Sequence, residues 1–241
     1  MDFVKEKNRK FGLMMGFIAG ILCGTGDILI RYFGQSGTTF FMGVVNTDIV
    51  TAPMWQFELS LIFGLVATPL IWFAGSSMYL YLKDWTKEKY PRILKIFSLG
   101  IKIMVICTAV AHSVCCIAMM CLKVALEQGM SVNLIESVYR APLLIPFMLT
   151  NIWVTVSELF VSISYIYLVM KKVIKIPRIL VIFNPICIYV FCEIMRKLIL
   201  AFSSNMLLGQ LFVGGASFGY GLMFLSCFIS AKKMKTTNII D

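Results

Sequence analysis

Residues 96–122 read IFSLGIKIMVICTAVAHSVCCIAMMCL, a run in which Lys102 is the only fixed charge. A bilayer core about 30 Å thick is crossed by roughly 20 apolar helical residues. This run is long enough, and it has no turn residues to break it. Five more stretches read the same way: 11–33, 59–82, 143–170, 179–202 and 207–231. The whole chain has 241 residues, 59% hydrophobic and 14% charged. Soluble domains carry roughly 45–50% apolar and about 25% charged residues. A soluble enzyme, a disordered chain and a disulfide-stapled secreted domain are excluded on that comparison. The expected fold is all-α: one domain, a polytopic bundle of six transmembrane helices.

The charged residues orient the bundle. Of 22 Lys and Arg, sixteen fall in the N-terminal tail, the 83–95 and 171–178 connections and the C-terminal tail. Those segments alternate with connections that carry only Lys123 and Arg140. The positive-inside rule then places both termini in the cytoplasm. A topology signal accounts for the net charge of +10 without any nucleic acid. The first span has no cleavage pattern after it and is expected to stay. With no other targeting signal, a multi-pass protein of the bacterial cytoplasmic membrane is the expected location. Trp85 and Tyr90 suit the inner interface and Trp55 the outer one. Pro69 and Pro185 fall within spans two and five and are expected to kink them. Gly16, Gly20 and Gly24 form a small-residue ladder that suits close helix packing within the chain. A short amphipathic helix is expected from Ser131, with Glu136 and Arg140 four residues apart.

Ionisable groups inside spans cost several kcal/mol unless paired, and they tend to face a bundle interior or a wet cavity. Asp27 lies roughly 24 Å along span one, with Arg31 one turn on. His112, Asn151, Glu158, Glu193, Arg196 and Gln210 also lie in or at the ends of spans, and Glu58 opens span two. All but Glu158, near mid-membrane, fall on the outer side, whereas the inner half holds Asn184 and Lys102. Such a layer predicts a polar pocket opening outward. Candidate ligand-binding residues are Asp27, Arg31, Glu58, His112, Asn151, Glu158 and Arg196. Candidate catalytic residues are His112 with Asp27, Glu58 or Glu193. Each has a structural alternative. Asp27–Arg31 and Glu193–Arg196/Lys197 could be ion pairs that fix the fold. His112 could be a hydrogen-bonded core residue, and Glu58 a headgroup-level side chain. Glu158 has no partner one turn away. The eight cysteines read as small buried hydrophobes, with no metal-site spacing.

Several phrases together resemble a known family. They are Gly26-Asp27-Ile28-Leu29, Trp55…Glu58-Leu59-Ser60, Gly64…Pro69-Leu70…Gly75, Ala111-His112-Ser113 and Pro177-Arg178…Asn184-Pro185. In this order they resemble a domain of unknown function found in six-span membrane proteins of bacteria and some eukaryotes. The family's Trp after Pro-Arg is replaced here by Ile179. The resemblance implies a six-span fold and points to Asp27, Glu58, His112 and Asn184, but it supplies no activity.

Three functions fit these residues. One is a binding or transport protein for a small amphiphile or ion, with membrane lipids as its surroundings. Another is an intramembrane enzyme acting on a lipid. The third is a structural subunit. No Walker loop or HExxH is present.

Overall fold

The computed structural model describes residues 2–32, 47–87, 89–203 and 206–237. Its regular elements are seven helices and two short 3-10 turns, with no strand among the described residues. Four long helices come first: α1 (Asp2–Leu29), α2 (Met54–Thr86), α3 (Pro91–Glu127) and α4 (Val132–Met170). They are followed by α5 (Pro185–Phe202), the short α6 (Met206–Gln210) and α7 (Gly215–Thr237). The 3-10 turns are Thr47–Thr51, before α2, and Arg178–Ile182, before α5.

Five segments are long and apolar enough to cross a membrane: 6–29, 54–86, 91–127, 145–170 and 207–231. The second, third and fourth expected spans therefore lie inside α2 to α4, while α1 covers 11–29 of the first and the expected end at residue 33 lies outside the described residues. α2, α3 and α4 exceed the roughly 20 residues needed, so they tilt or project beyond the hydrocarbon. The helix expected from Ser131 is the opening of α4 itself. Ser131 caps it by accepting a hydrogen bond from the Leu134 amide at 3.3 Å. The side chains of Glu136 and Arg140 lie outside the described residues.

The expected fifth span is corrected, whereas the sixth, 207–231, is itself one of the five apolar segments. Span five is broken at Asn184-Pro185, and its helical part has only 18 residues, including Glu193, Arg196 and Lys197. It is not among the five apolar segments. Pro185 does not kink a helix; it starts one. Its missing N–H costs nothing in the first turn, and its fixed φ suits a helix start. Asn184 caps this helix, its Oδ1 accepting from the Cys187 amide at 3.1 Å. Within span six a turn at residues 211–214 separates α6 from α7. α2, by contrast, runs unbroken through Pro69.

α1 packs against α2 and α7, α2 against α3, α3 against α4, and α5 against α7. The central core holds Leu13, Ala19, Ile71, Met78, Phe97, Ile101, Val161, Tyr165 and Phe224. Large apolar side chains also cover the outside, among them Ile18, Ile62, Trp72, Ile106, Ile152, Ile163 and Phe191. A soluble monomer rarely exposes apolar surface on that scale. In lipid such a surface is in its own solvent.

The first and last long helices touch backbone to backbone. A Cβ at Gly20 would collide with the Gly221 backbone, and one at Gly214 with the Gly24 backbone. The glycine ladder on α1 is therefore a seam within the chain. Gly20→Val is expected to destabilise the bundle by about 1–3 kcal/mol, the usual cost of overpacking. Ile106→Leu on the outer surface is expected to change little. Thermal unfolding of both variants in detergent checks this, and equal midpoints would contradict a tight α1–α7 seam.

Candidate functional site

The end of α1 is held from outside the helix. Helix C-termini leave carbonyls without intrahelical partners. Gln56 of α2 answers this: its Nε2 donates to Leu29 O and, at 3.0 Å, to Tyr32 O. The grip fixes the last turn of α1, which carries Asp27. α2 then contributes Ser60 and Gly64 one and two turns on. α3 packs against α2 with His112 on its buried face.

The His112 ring lies over two glycines. A Cβ at Gly64 would run into the ring, and one at Gly26 would press on it. Nε2 lies 2.8 Å from the Ser60 carbonyl oxygen, which can only accept, so this nitrogen carries a proton. Ser60 Oγ is 3.2 Å from the same nitrogen and donates to Gly26 O at 2.8 Å. Cys116 Sγ donates to Ser60 Oγ at 3.4 Å. The other ring nitrogen, Nδ1, faces Asp27 Oδ1 at 3.5 Å. The second oxygen of Asp27 accepts from Ser217 Oγ of α7 at 2.7 Å. Both ring nitrogens thus face oxygen acceptors, so one proton on the ring cannot satisfy both sides.

Beside this pair lies a cleft of about 180 Å³ between α1, α3, α4 and the start of α7. Asp27, Arg31, His112, Asn151 and Glu158 all line it, together with Cys23, Thr108, Cys115 and Ser217. Five of the seven expected ligand-binding residues are therefore brought together. Glu58 and Arg196 are not. Glu58 is exposed on α2, because Ser60 and Gly64 take the inward face of that helix. Arg196 pairs with Glu193 at 2.8 Å along α5, outside the cleft. Gln210 is buried but is not part of the lining. Asn184 is spent on capping α5.

Asp27 is not paired with Arg31 as the spacing suggests. Its two oxygens go to His112 and Ser217 on other helices. Arg31 and Glu158 are each half-buried, and neither side chain has a hydrogen bond or ion pair among the described residues. Asn151 donates to Phe147 O one turn back at 2.7 Å. The structure also adds Ser60 and Ser217. Ser60 closes the Glu58-Leu59-Ser60 phrase, and Ser217 stands at the centre of Gly215-Ala216-Ser217-Phe218-Gly219, a signal the candidate set leaves out. Cys23 was read as a buried hydrophobe, yet its Sγ, a carboxylate oxygen of Asp27 and a ring nitrogen of His112 lie within 4.8 Å of one another. That set could hold a metal ion. The one sequence sign of it is the spacing of Cys23 and Asp27, one helical turn apart.

The motifs quoted above suggested an uncharacterised family, and residues 3–234 match one. The chain belongs to DUF6796, a family of unknown function. No curated protein and no solved structure matches it. Membership thus agrees with the resemblance and brings no activity with it.

Asp27→Asn removes the negative charge and one of the two acceptor oxygens that face His112 and Ser217, and is expected to cost about 1–3 kcal/mol, as for a buried polar group that loses its partner. Arg31→Gln is expected not to lower stability, since its half-buried charge has no partner among the described residues. Adding His112→Ala to Asp27→Asn should cost less than the sum of the two single changes, because the residues share one interaction. Detergent unfolding of the four variants measures all three terms; strict additivity would separate Asp27 from His112.

Proposed function

We propose that the protein is a multi-pass cell-membrane protein whose cleft binds the headgroup of a small amphiphile. The observation that carries this is the pair Arg31 and Glu158. Both line the cleft, both are half-buried, and neither has a partner among the described residues. Unpaired charge at membrane depth costs several kcal/mol. A headgroup that presents an anion to Arg31 and an N–H donor to Glu158 offsets both costs. Asn151, beside them, keeps its side-chain oxygen free to accept. The chains of such a ligand find apolar surface on either side, where Ile145, Leu149 and Ile152 of α4 are exposed.

In this proposal the chain crosses the membrane six times, with both termini in the cytoplasm. α5 makes the additional crossing. Its 18 residues reach about 27 Å, close to the core thickness, and Glu193 neutralises Arg196 at 2.8 Å. The charge distribution supports the orientation. Lys87, Lys89, Lys171, Lys172 and Lys175 line one groove at one end of the bundle. Arg9 pairs with Asp84 and so brings the N-terminal tail to that same end. Cysteine-free protein with single reporter cysteines near residues 7 and 235 should be labelled only from the cytoplasmic side. Labelling of one terminus from outside would reduce the crossings to five.

A second reading, an enzyme acting on a lipid, is favoured by one observation. Asp27 and His112 stand 3.5 Å apart at the wall of the cleft, within reach of an acid–base pair. Glu58 and Glu193 have no part in it, being outside the cleft. The binding test is reconstitution in nanodiscs of phosphatidylethanolamine or of phosphatidylcholine, whose headgroup has no N–H donor. The ethanolamine lipid is expected to raise the unfolding midpoint. Arg31→Ala and Glu158→Gln should each lose that gain while keeping their midpoints in detergent. Equal midpoints in the two lipids would end the headgroup proposal.

A further inference from the structure

Cys23, Asp27 and His112 form a ligand set of which the amphiphile proposal makes no use. We propose that they bind a zinc ion, with its fourth position open to the cleft. The inference goes beyond the amphiphile proposal and does not rest on it.

The geometry points this way at three levels. The first is the spacing. Nδ1 of His112 and Oδ1 of Asp27 are 3.5 Å apart. A charge-assisted hydrogen bond between them would be about 2.7–2.9 Å. Two ligands on one tetrahedral zinc, each about 2.0–2.2 Å from the metal, stand about 3.4 Å apart. The Cys23 sulfur completes a triangle in which no donor is more than 4.8 Å from another. Side-chain rotation brings it the remaining distance.

The second level is the support behind the ligands. A metal-bound histidine usually donates its other ring N–H to a carbonyl or carboxylate, which fixes the tautomer and leaves the first nitrogen's lone pair for the metal. His112 does this: Nε2–H goes to the Ser60 carbonyl at 2.8 Å, leaving Nδ1 toward Asp27. Ligating carboxylates are themselves hydrogen-bonded, and Asp27 Oδ2 accepts from Ser217 at 2.7 Å. The ring is held by Gly64 and Gly26 beneath it, so the nitrogen has a fixed aim. These arrangements orient donors toward a point where the described residues supply no positive charge other than a proton on the ring.

The third level is charge. Cys23 and His112 are buried, at 2% and 7% exposure. A thiolate, a carboxylate and a divalent cation sum to zero, which an apolar surrounding tolerates far better than the separate charges. Binding takes the proton from the Cys23 thiol, as coordination of a thiol does outright. A donor set of one sulfur, one imidazole and one carboxylate suits zinc better than magnesium or calcium, which take oxygen ligands. Three protein ligands leave one position vacant, and the cleft lies on that side, with Asp27, His112 and Cys23 all in its lining.

The test uses the full chain purified in detergent without added lipid, stripped with chelator and titrated with Co²⁺ and then Zn²⁺. Wild type is expected to take up one ion, giving the intense visible bands of four-coordinate cobalt and a thiolate-to-cobalt charge-transfer band. Zinc should displace both. Cys23→Ser should remove the charge-transfer band, whereas Cys107→Ser, outside the cleft, should keep it. Ser217→Ala should weaken zinc binding roughly 10–100-fold, the usual effect of losing a residue that orients a ligand. If Cys23→Ser does not fold, X-ray absorption of the wild-type zinc form decides, with one sulfur in the first coordination shell expected. Absence of the charge-transfer band in wild type, its survival in Cys23→Ser, or a sulfur-free zinc shell would each overturn the proposal. Because lipid is absent throughout, failure of the amphiphile proposal leaves this result untouched.

Discussion

Four helices converge on the His112 imidazole, and two glycines make the meeting possible. α3 supplies the ring, α2 the Ser60 carbonyl that holds it, α1 Asp27 beside it, and α7 Ser217 behind Asp27. In lipid no water is available to satisfy a stray donor, so a polar group must find its partner within the protein. That requirement sets the relative height and rotation of these helices. Apolar packing alone would tolerate a shift along the axes at small cost, because lipid tails are as apolar as leucine. A polar knot would not. It acts as the register pin of the bundle, while the glycine seam between α1 and α7 sets how closely the first and last helices approach.

The cleft follows from the same convergence. α4 lies against α3 and has no share in the knot. Its polar residues Asn151 and Glu158 face the gap left beside α1. Arg31 is at the mouth because α1 ends there, gripped by Gln56. The site is thus a boundary between a tightly tied part of the bundle and a looser one. That is a common place for a ligand pocket, where convergent polar groups meet apolar walls.

Much of this was legible in sequence, and the failures have definite causes. Five apolar segments could be read from hydropathy, because a long apolar helix leaves a plain signal. That Asp27, His112, Asn151 and Glu158 share one level of the bundle could be read as well, since rise per residue converts position to height. Rotation about the helix axis could not. Glu58 sits at the right height and faces the wrong way, and Arg31 is one turn from Asp27 without meeting it. Hydropathy also hid the breaks in the last third. A window average passes over Asn184-Pro185 and over residues 211–214, where local capping and turn chemistry end one helix and begin another. Cys23 escaped because its neighbours in space come from a helix almost ninety residues away in sequence.

The contact between α1 and α7 also bears on how the protein is made. A ribosome makes α1 before α7, so α1 first exists with its glycine face bare and Asp27 lacking Ser217. That face has no permanent partner until α7 has been synthesised, some 190 residues later. Until then the first helix must be sheltered by α2 alone or by the insertion machinery. The site therefore cannot close until α7 has been made.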